Sequence, residues 1–220
     1  MVMDAAIEAS RTRMIEQQIR VWDVLDPRVL DALASVPRER FVPEAFRAVA
    51  FADAAIPIGH GQSMLKPALE GRILQALAPV RGERTLEIGT GTGFFAACLA
   101  RMCGAVDSIE IHPDLAANAV RTLESQGVSQ VSVETGDAFL REFDARYEVV
   151  AVTGAIPVRA PDFERALAIG GRMFVVVGQP PIMEACLVTR TGTETWLSES
   201  LFETVIEPLT RPAPISTFRF

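Results

Sequence analysis

From Thr85 onward, short apolar runs alternate with stretches of helical hydrophobic spacing. The runs 85–88, 106–110, 131–135, 148–153 and 171–177 are predicted strands, and 93–102, 113–126 and 161–168 are predicted helices. Two further strands, 184–190 and 201–207, close the pattern. Such alternation predicts an α/β fold: a Rossmann-like, doubly wound, mostly parallel seven-stranded sheet with helices on both faces. The first 45 residues carry a different pattern. Met14, Ile15, Gln18, Ile19 and Trp22 share a helical stripe, and Asp26 before Pro27 reads as an N-cap followed by proline in the first turn. Pro37 and Pro43 then interrupt it, so an N-terminal helical extension is expected to cover part of the sheet. Trp22 is expected in packing and Trp196 on the surface.

With 220 residues and 49% hydrophobic content, the chain can bury a large core and is expected to form one domain. Residues 1–80 would be the helical and substrate-loop region, and 81–220 the ligand-binding core. Lys and Arg number 21 against 28 Asp and Glu, a net charge of -7, which disfavours nucleic acid as a partner and favours small molecules or peptides. The start MVMDAAIEASRTRM lacks a basic segment followed by an apolar one, and no run approaches the ~20 apolar residues of a membrane helix. A cytoplasmic protein without membrane contact is expected. Cys98, Cys103 and Cys186 form no C-x-x-C pair and read as small core residues, and His60 and His112 lack clustered partners, so no metal is expected.

The chemistry concentrates in TLEIGTGTG, Thr85–Gly93, which reads as strand, tight turn and helix start. Glycines at 89, 91 and 93 open backbone conformations closed to other residues and let a ligand approach the main chain. The third glycine of a dinucleotide fingerprint would fall on Phe94, and no Gly-Lys-Ser/Thr follows, so pyrophosphate and triphosphate are disfavoured. An adenosine-type ligand without phosphate remains, beside which Glu87 is useful rather than repulsive. S-adenosylmethionine, cationic at sulfur and amine, fits. Glu110 ends the next strand, close to 20 residues beyond the turn, where a ribose-binding acid sits. Asp137, beside Ala138 and just past a third strand, could accept from an adenine amino group or cap the following helix. Each feature has a plainer reading alone; three in the right order favour the nucleoside. Glu87, Glu110, Asp137 and Thr153 would converge at the carboxyl ends of the strands.

Several segments resemble the protein-L-isoaspartate (D-aspartate) O-methyltransferase family of class I S-adenosylmethionine-dependent methyltransferases. They are VPRERFVP at 36–43, FADAAIPIGHGQS at 51–63 followed by Pro67, LEIGTGTGFFAACLA at 86–100, VTGAIP at 152–157 and GGRMFVVVG at 170–178. The resemblance runs from about residue 11 to 209. It implies methyl transfer to the free carboxylate of isoaspartyl residues in damaged proteins or peptides, followed by collapse through a succinimide. It places Gln62, Glu87, Gly89, Thr90, Gly91, Gly93, Glu110, Ile111, Asp137 and Ala138 at the cofactor, and Ser63, Leu65, Lys66 and Thr153 at the reaction centre.

The departure lies after Gln62. The family reads Gly-Gln-Thr-Ile-Ser, and this chain reads Gly61-Gln62-Ser63-Met64-Leu65, so an aliphatic side chain stands where the family places its serine. In one arrangement Ser63 or Lys66 takes over anion binding. In the other, which is the expected one, Leu65 makes the pocket apolar and Lys66 points to water. A diverged acceptor, or cofactor binding without turnover, is the alternative function. Asp53 is expected to cap a turn.

Overall fold

In the computed structural model, which describes residues 2–211 and side chains from residue 5, the N-terminal extension is helical as expected. Helix α1, Val2–Met14, runs into a π turn at Ile15–Ile19 and a 3-10 turn at Arg20–Trp22, and Asp23 ends it with φ 59°. Helix α2, Pro27–Ser35, starts as its sequence dictates: Asp26 Oδ1 accepts from the Arg28 amide at 2.8 Å and Pro27 fills the first turn. Helix α3, Arg38–Phe41, and a 3-10 turn at Glu44–Val49 lead to a small hairpin, β1 Ile56–Gly59 and β2 Gln62–Met64. Helix α4, Pro67–Leu77, follows. Hairpin and helix both escape the sequence pattern. The strands are too short for alternation to register, and α4 carries Gly71 in its interior, where a Cβ would come within 3.0 Å of Ile19. That glycine lets α4 lie directly against the N-terminal turn.

The remaining elements are β3 Thr85–Ile88, α5 Phe94–Cys103, β4 Val106–Glu110, α6 Pro113–Ser125, β5 Val131–Thr135, β6 Tyr147–Ile156, α7 Pro161–Arg165, β7 Leu167–Gln179, β8 Ile182–Gly192 and β9 Thr195–Glu203. They form a seven-stranded sheet in the order β5-β4-β3-β6-β7-β8-β9, parallel through β7 and antiparallel at β8 and β9. Alternation along β6 sets two cores. Val149 and Ala151 join α4, α5 and Leu123 on one face, and Val150 and Val152 join Phe163 and Ala138 on the other. The second face is covered more thinly, by α7 and the 3-10 turn Ala138–Leu140.

Boundaries move at several elements, most at two. The helix expected over 161–168 stops at Arg165 because Leu167 already pairs with Tyr147 in β7. The strand expected at 201–207 is β9 at 195–203, and residues 204–207 instead turn back across the sheet. Trp22 is 53% exposed rather than packed, whereas Trp196 is half-buried and donates from Nε1 to the Glu164 carbonyl at 3.1 Å. The three cysteines are buried and free. The segment PAPISTFRF, left open by the sequence, lies outside the described residues. Among the described residues no helix is long and apolar enough to cross a membrane, and no group of three or more metal-ligating side chains gathers.

Candidate active site

The carboxyl ends of β3, β4 and β6 meet at one rim, and the glycine turn follows β3 there. Gly89 has φ 100°, and a Cβ would stand 2.5 Å from Thr153 Oγ1, so only glycine permits the turn to close against β6. Thr153 Oγ1 in turn donates to the Gly89 carbonyl at 2.6 Å. This threonine both lines the cavity and satisfies local backbone.

Glu110 sits at the end of β4 with 4% exposure. Its Oε2 accepts from the Gly91 amide at 2.8 Å and its Oε1 from the His112 amide at 3.0 Å. The acid is thereby fixed in one orientation with lone pairs left for a diol. Asp137 Oδ1 caps the 3-10 turn through the Phe139 amide at 2.9 Å, the capping reading, and the residue also lines the cavity. Gln62, Ser63, Gly89, Gly91, Ile111 and Ala138 line it as well.

Other expected site residues lie elsewhere. Glu87 is a correction: Leu86 and Ile88 point into one core, so strand parity turns Glu87 to the opposite face under α5, where it is fully buried and does not reach the cavity. Burial pushes its carboxyl up to about 8; the Ser108 hydroxyl bonded to it lowers it and the Glu110 charge raises it further. Thr90 is buried with Oγ1 2.6 Å from Ser108 Oγ, so a chain Glu87–Ser108–Thr90 supports the turn from below. Gly93 makes room for α6: a Cβ would stand 3.3 Å from Ala119 and Leu123. Leu65 is 8% exposed, and its carbonyl accepts from Arg38 Nη2 at 2.7 Å. Lys66 is exposed on the wall of a groove and makes no ion pair among the described residues. Asp53 is exposed on the rim of a groove and makes no side-chain hydrogen bond among the described residues, so it does not cap its turn through its side chain.

That groove, about 550 Å³, adjoins the rim and is bounded by Leu65, Lys66, Arg72, Phe202, Glu207 and Pro208. Arg72 lies 3.4 Å from the Phe202 ring centroid and 5.6 Å from that of Trp22. Between groove and cavity runs a strap, residues 206–210. Ala155 donates to the Glu207 carbonyl at 2.9 Å and accepts from the Leu209 amide at 2.8 Å. Gln62 Nε2 donates to the Pro208 carbonyl at 3.0 Å, and His112 Nε2 lies 3.2 Å from Thr210 Oγ1. Leu209 sits above Gly89 and Gly154 and lines the cavity, which is about 70 Å³. His112 and Ile58 also line the cavity; they carried no sequence signal because each is a lone residue in a loop or short strand, and the strap carried none because it is irregular chain.

The donor set fits a phosphate-free nucleoside with a cationic tail: two carboxylates at the rim, and a turn whose glycines a Cβ would fill. Fold and rim together define a Rossmann-like α/β methyltransferase, of the class that takes its methyl group from S-adenosylmethionine. A model of the family Protein-L-isoaspartate(D-aspartate) O-methyltransferase (PCMT) matches residues 9–211, and the chain belongs to that family. Protein-L-isoaspartate O-methyltransferase 2 of Anaeromyxobacter sp. (strain Fw109-5) is 41% identical over 188 residues, covering 84% of this chain and 77% of the relative. The protein-L-isoaspartate O-methyltransferase of Syntrophotalea carbinolica is 36% identical over 94% of this chain and 95% of its own. A solved protein-L-isoaspartate O-methyltransferase superposes with TM-score 0.79 at 23% identity, over 91% of this chain and 66% of that one. A Plasmodium falciparum structure described as such an enzyme, in complex with S-adenosyl-L-homocysteine, gives 0.75 at 14% identity over 91% and 97%. Both likenesses are of fold.

Proposed function

We propose that the chain methylates the free carboxylate of isoaspartyl residues in damaged proteins, acting as one domain in which residues 1–80 serve the acceptor and 81–220 the cofactor. The observation that carries it is the junction of two spaces: the acid-lined cavity behind the glycine turn opens beside an apolar groove bounded by Leu65 and Lys66. Glu110 would hold the ribose, and Asp137 with Ala138 the adenine edge. Gln62, Gly89, Gly91 and Ile111 would complete the bed, and Glu87 with Thr90 would keep the turn in shape. When bound, S-adenosylmethionine supplies an electrophilic methyl group on a sulfonium.

The residues need to supply little else. An isoaspartyl carboxyl has an ordinary pKa of roughly 4, so it is ionised at neutral pH and requires no base. Thr153 and Leu65 position it and exclude water, and Lys66 at the groove wall attracts it. The test is release of labelled methanol from an isoaspartyl peptide with S-adenosylmethionine; background release by the wild-type protein, with cofactor binding intact, refutes the reading.

One observation favours a second reading, a diverged methyltransferase for a less polar acceptor. Leu65 cannot donate a hydrogen bond, and Ser63 Oγ is engaged by Glu207 at 2.8 Å. Leu65→Ser separates the two: a gain of about 10- to 100-fold in isoaspartyl activity, the worth of one hydrogen bond to a charged group, supports divergence.

A further inference from the structure

The seam between cavity and groove is a pair of side chains. Ser63, in β2 two residues before Leu65, lines the cavity; Glu207, on the strap, lines the groove; the Ser63 hydroxyl donates to Glu207 Oε1 at 2.8 Å. The backbone of Glu207 is pinned, because its own carbonyl and the Leu209 amide are both bonded to Ala155, and its carboxylate is held by the Ser63 hydroxyl. Any acceptor that reaches the rim from the groove passes this carboxylate. The groove carries two further acids, Asp53 and Glu203. Of its two cations, Arg72 is stacked against Phe202 and Trp22, and only Lys66 projects freely.

We propose that Glu207 is a specificity-determining residue: it selects acceptor peptides that carry a basic side chain next to the methylated residue, disfavours those with an acidic one, and holds the Ser63 hydroxyl away from the acceptor. The inference rests on the carboxyl-methylation reading above and names the acceptor class for that same site. A basic neighbour meets Glu207, Glu203 and Asp53 along the groove, while an acidic one adds a like charge beside a fixed carboxylate. Because Ser63 has one hydroxyl hydrogen, its bond to Glu207 and a bond to the acceptor are mutually exclusive.

Three isoaspartyl peptides that differ only in the following residue, Lys, Ala or Glu, test this. They are assayed for kcat/KM and titrated calorimetrically in the presence of S-adenosyl-L-homocysteine, against wild type, Glu207→Gln and Glu207→Ala. In wild type the Lys peptide is expected to lead the Glu peptide by about tenfold in both readouts, an advantage that shrinks at high salt. Glu207→Gln, which keeps an acceptor for Ser63, should reduce the ratio to within about threefold. Glu207→Ala should in addition raise kcat/KM on the Ala peptide, because the hydroxyl is released. An unchanged Lys-to-Glu ratio in Glu207→Gln, or equal binding of all three peptides by wild type, overturns the inference. If wild type binds with the expected ratio but turns none over, the methylation reading fails and the selectivity of the groove stands; binding of no peptide overturns both.

Discussion

Glu110 Oε2 accepts the Gly91 amide at 2.8 Å while Oε1 accepts that of His112 at 3.0 Å, so one carboxylate ties the glycine turn to the end of the neighbouring strand. Glu110→Gln replaces one acceptor oxygen by an NH₂ group, which must face a backbone N–H or the ligand with the wrong polarity. Loss of a charged hydrogen bond, worth about 1.5–3 kcal/mol, should weaken S-adenosylmethionine binding by roughly 10- to 100-fold in calorimetry. A change below about threefold would exclude Glu110 as the ribose acid.

Glu87 makes a pH prediction. Its carboxyl is raised from 4.5 to about 8 by burial, against the Ser108 bond and with the help of the Glu110 charge. Between those values the folded protein holds a proton that the unfolded chain has released. The stability this group contributes is therefore complete below pH 4.5 and declines as pH rises to about 8, with a slope of up to about 1.4 kcal/mol per pH unit. Glu87→Gln is neutral at every pH and should remove that decline. Urea titrations at pH 5, 6.5 and 8 read it directly, and parallel wild-type and variant curves would contradict the assignment.

Arg38 and Glu70 form an ion pair with 0% and 2% side-chain exposure. Arg38 also donates to the carbonyls of Ala50 at 2.8 Å and Leu65 at 2.7 Å, so it fastens the acceptor loop to α4. Burial pushes Glu70 up to about 7, with the Arg38 charge pulling it back. Removing one partner of such a pair strands the other. Arg38→Met should cost about 3–5 kcal/mol in chemical denaturation, while Arg38→Met with Glu70→Leu should recover much of that. If the double variant is no more stable than the single one, the buried charge is not what Arg38 neutralises.

What the sequence made legible follows from periodicity. β3 through β7 could be read because each carries a short apolar run or alternation, clearest in β6, where Val149, Val150, Ala151 and Val152 are all buried, and faintest in β5, VSVET, where only alternation marks the strand. Glu110 and Asp137 could be placed because each ends or follows such a strand. Glu87 was misplaced because its proximity to the glycines in sequence says nothing of strand parity, which sends it under α5 instead. The strap was invisible: Ile206 through Thr210 have no repeat, and their position depends on backbone bonds to Ala155, 52 residues away from Glu207. The Arg38–Glu70 pair was hidden for a similar reason, since 32 residues separate its partners.

The strap yields the last prediction. Leu209 lies so close over the turn that a Cβ on Gly154 would stand 2.8 Å from its Cδ2 and 3.1 Å from its backbone nitrogen. The cavity beneath is about 70 Å³ with Leu209 against its wall, so Leu209 is expected to move aside as the cofactor enters. Leu209 is only half-buried, and truncating it removes about half the hydrophobic worth of a leucine, about 0.8–1.5 kcal/mol, from the closed form alone. Leu209→Ala should then speed S-adenosyl-L-homocysteine association by roughly tenfold in stopped-flow fluorescence, with little effect on the midpoint of global unfolding. Gly154→Ala acts on the same contact from the other side, pressing on the Leu209 side chain first and then on its backbone nitrogen, and should also speed association while lowering stability. Wild-type association near the diffusion limit, or no acceleration in either variant, would mean that the strap does not stand in the way of the cofactor.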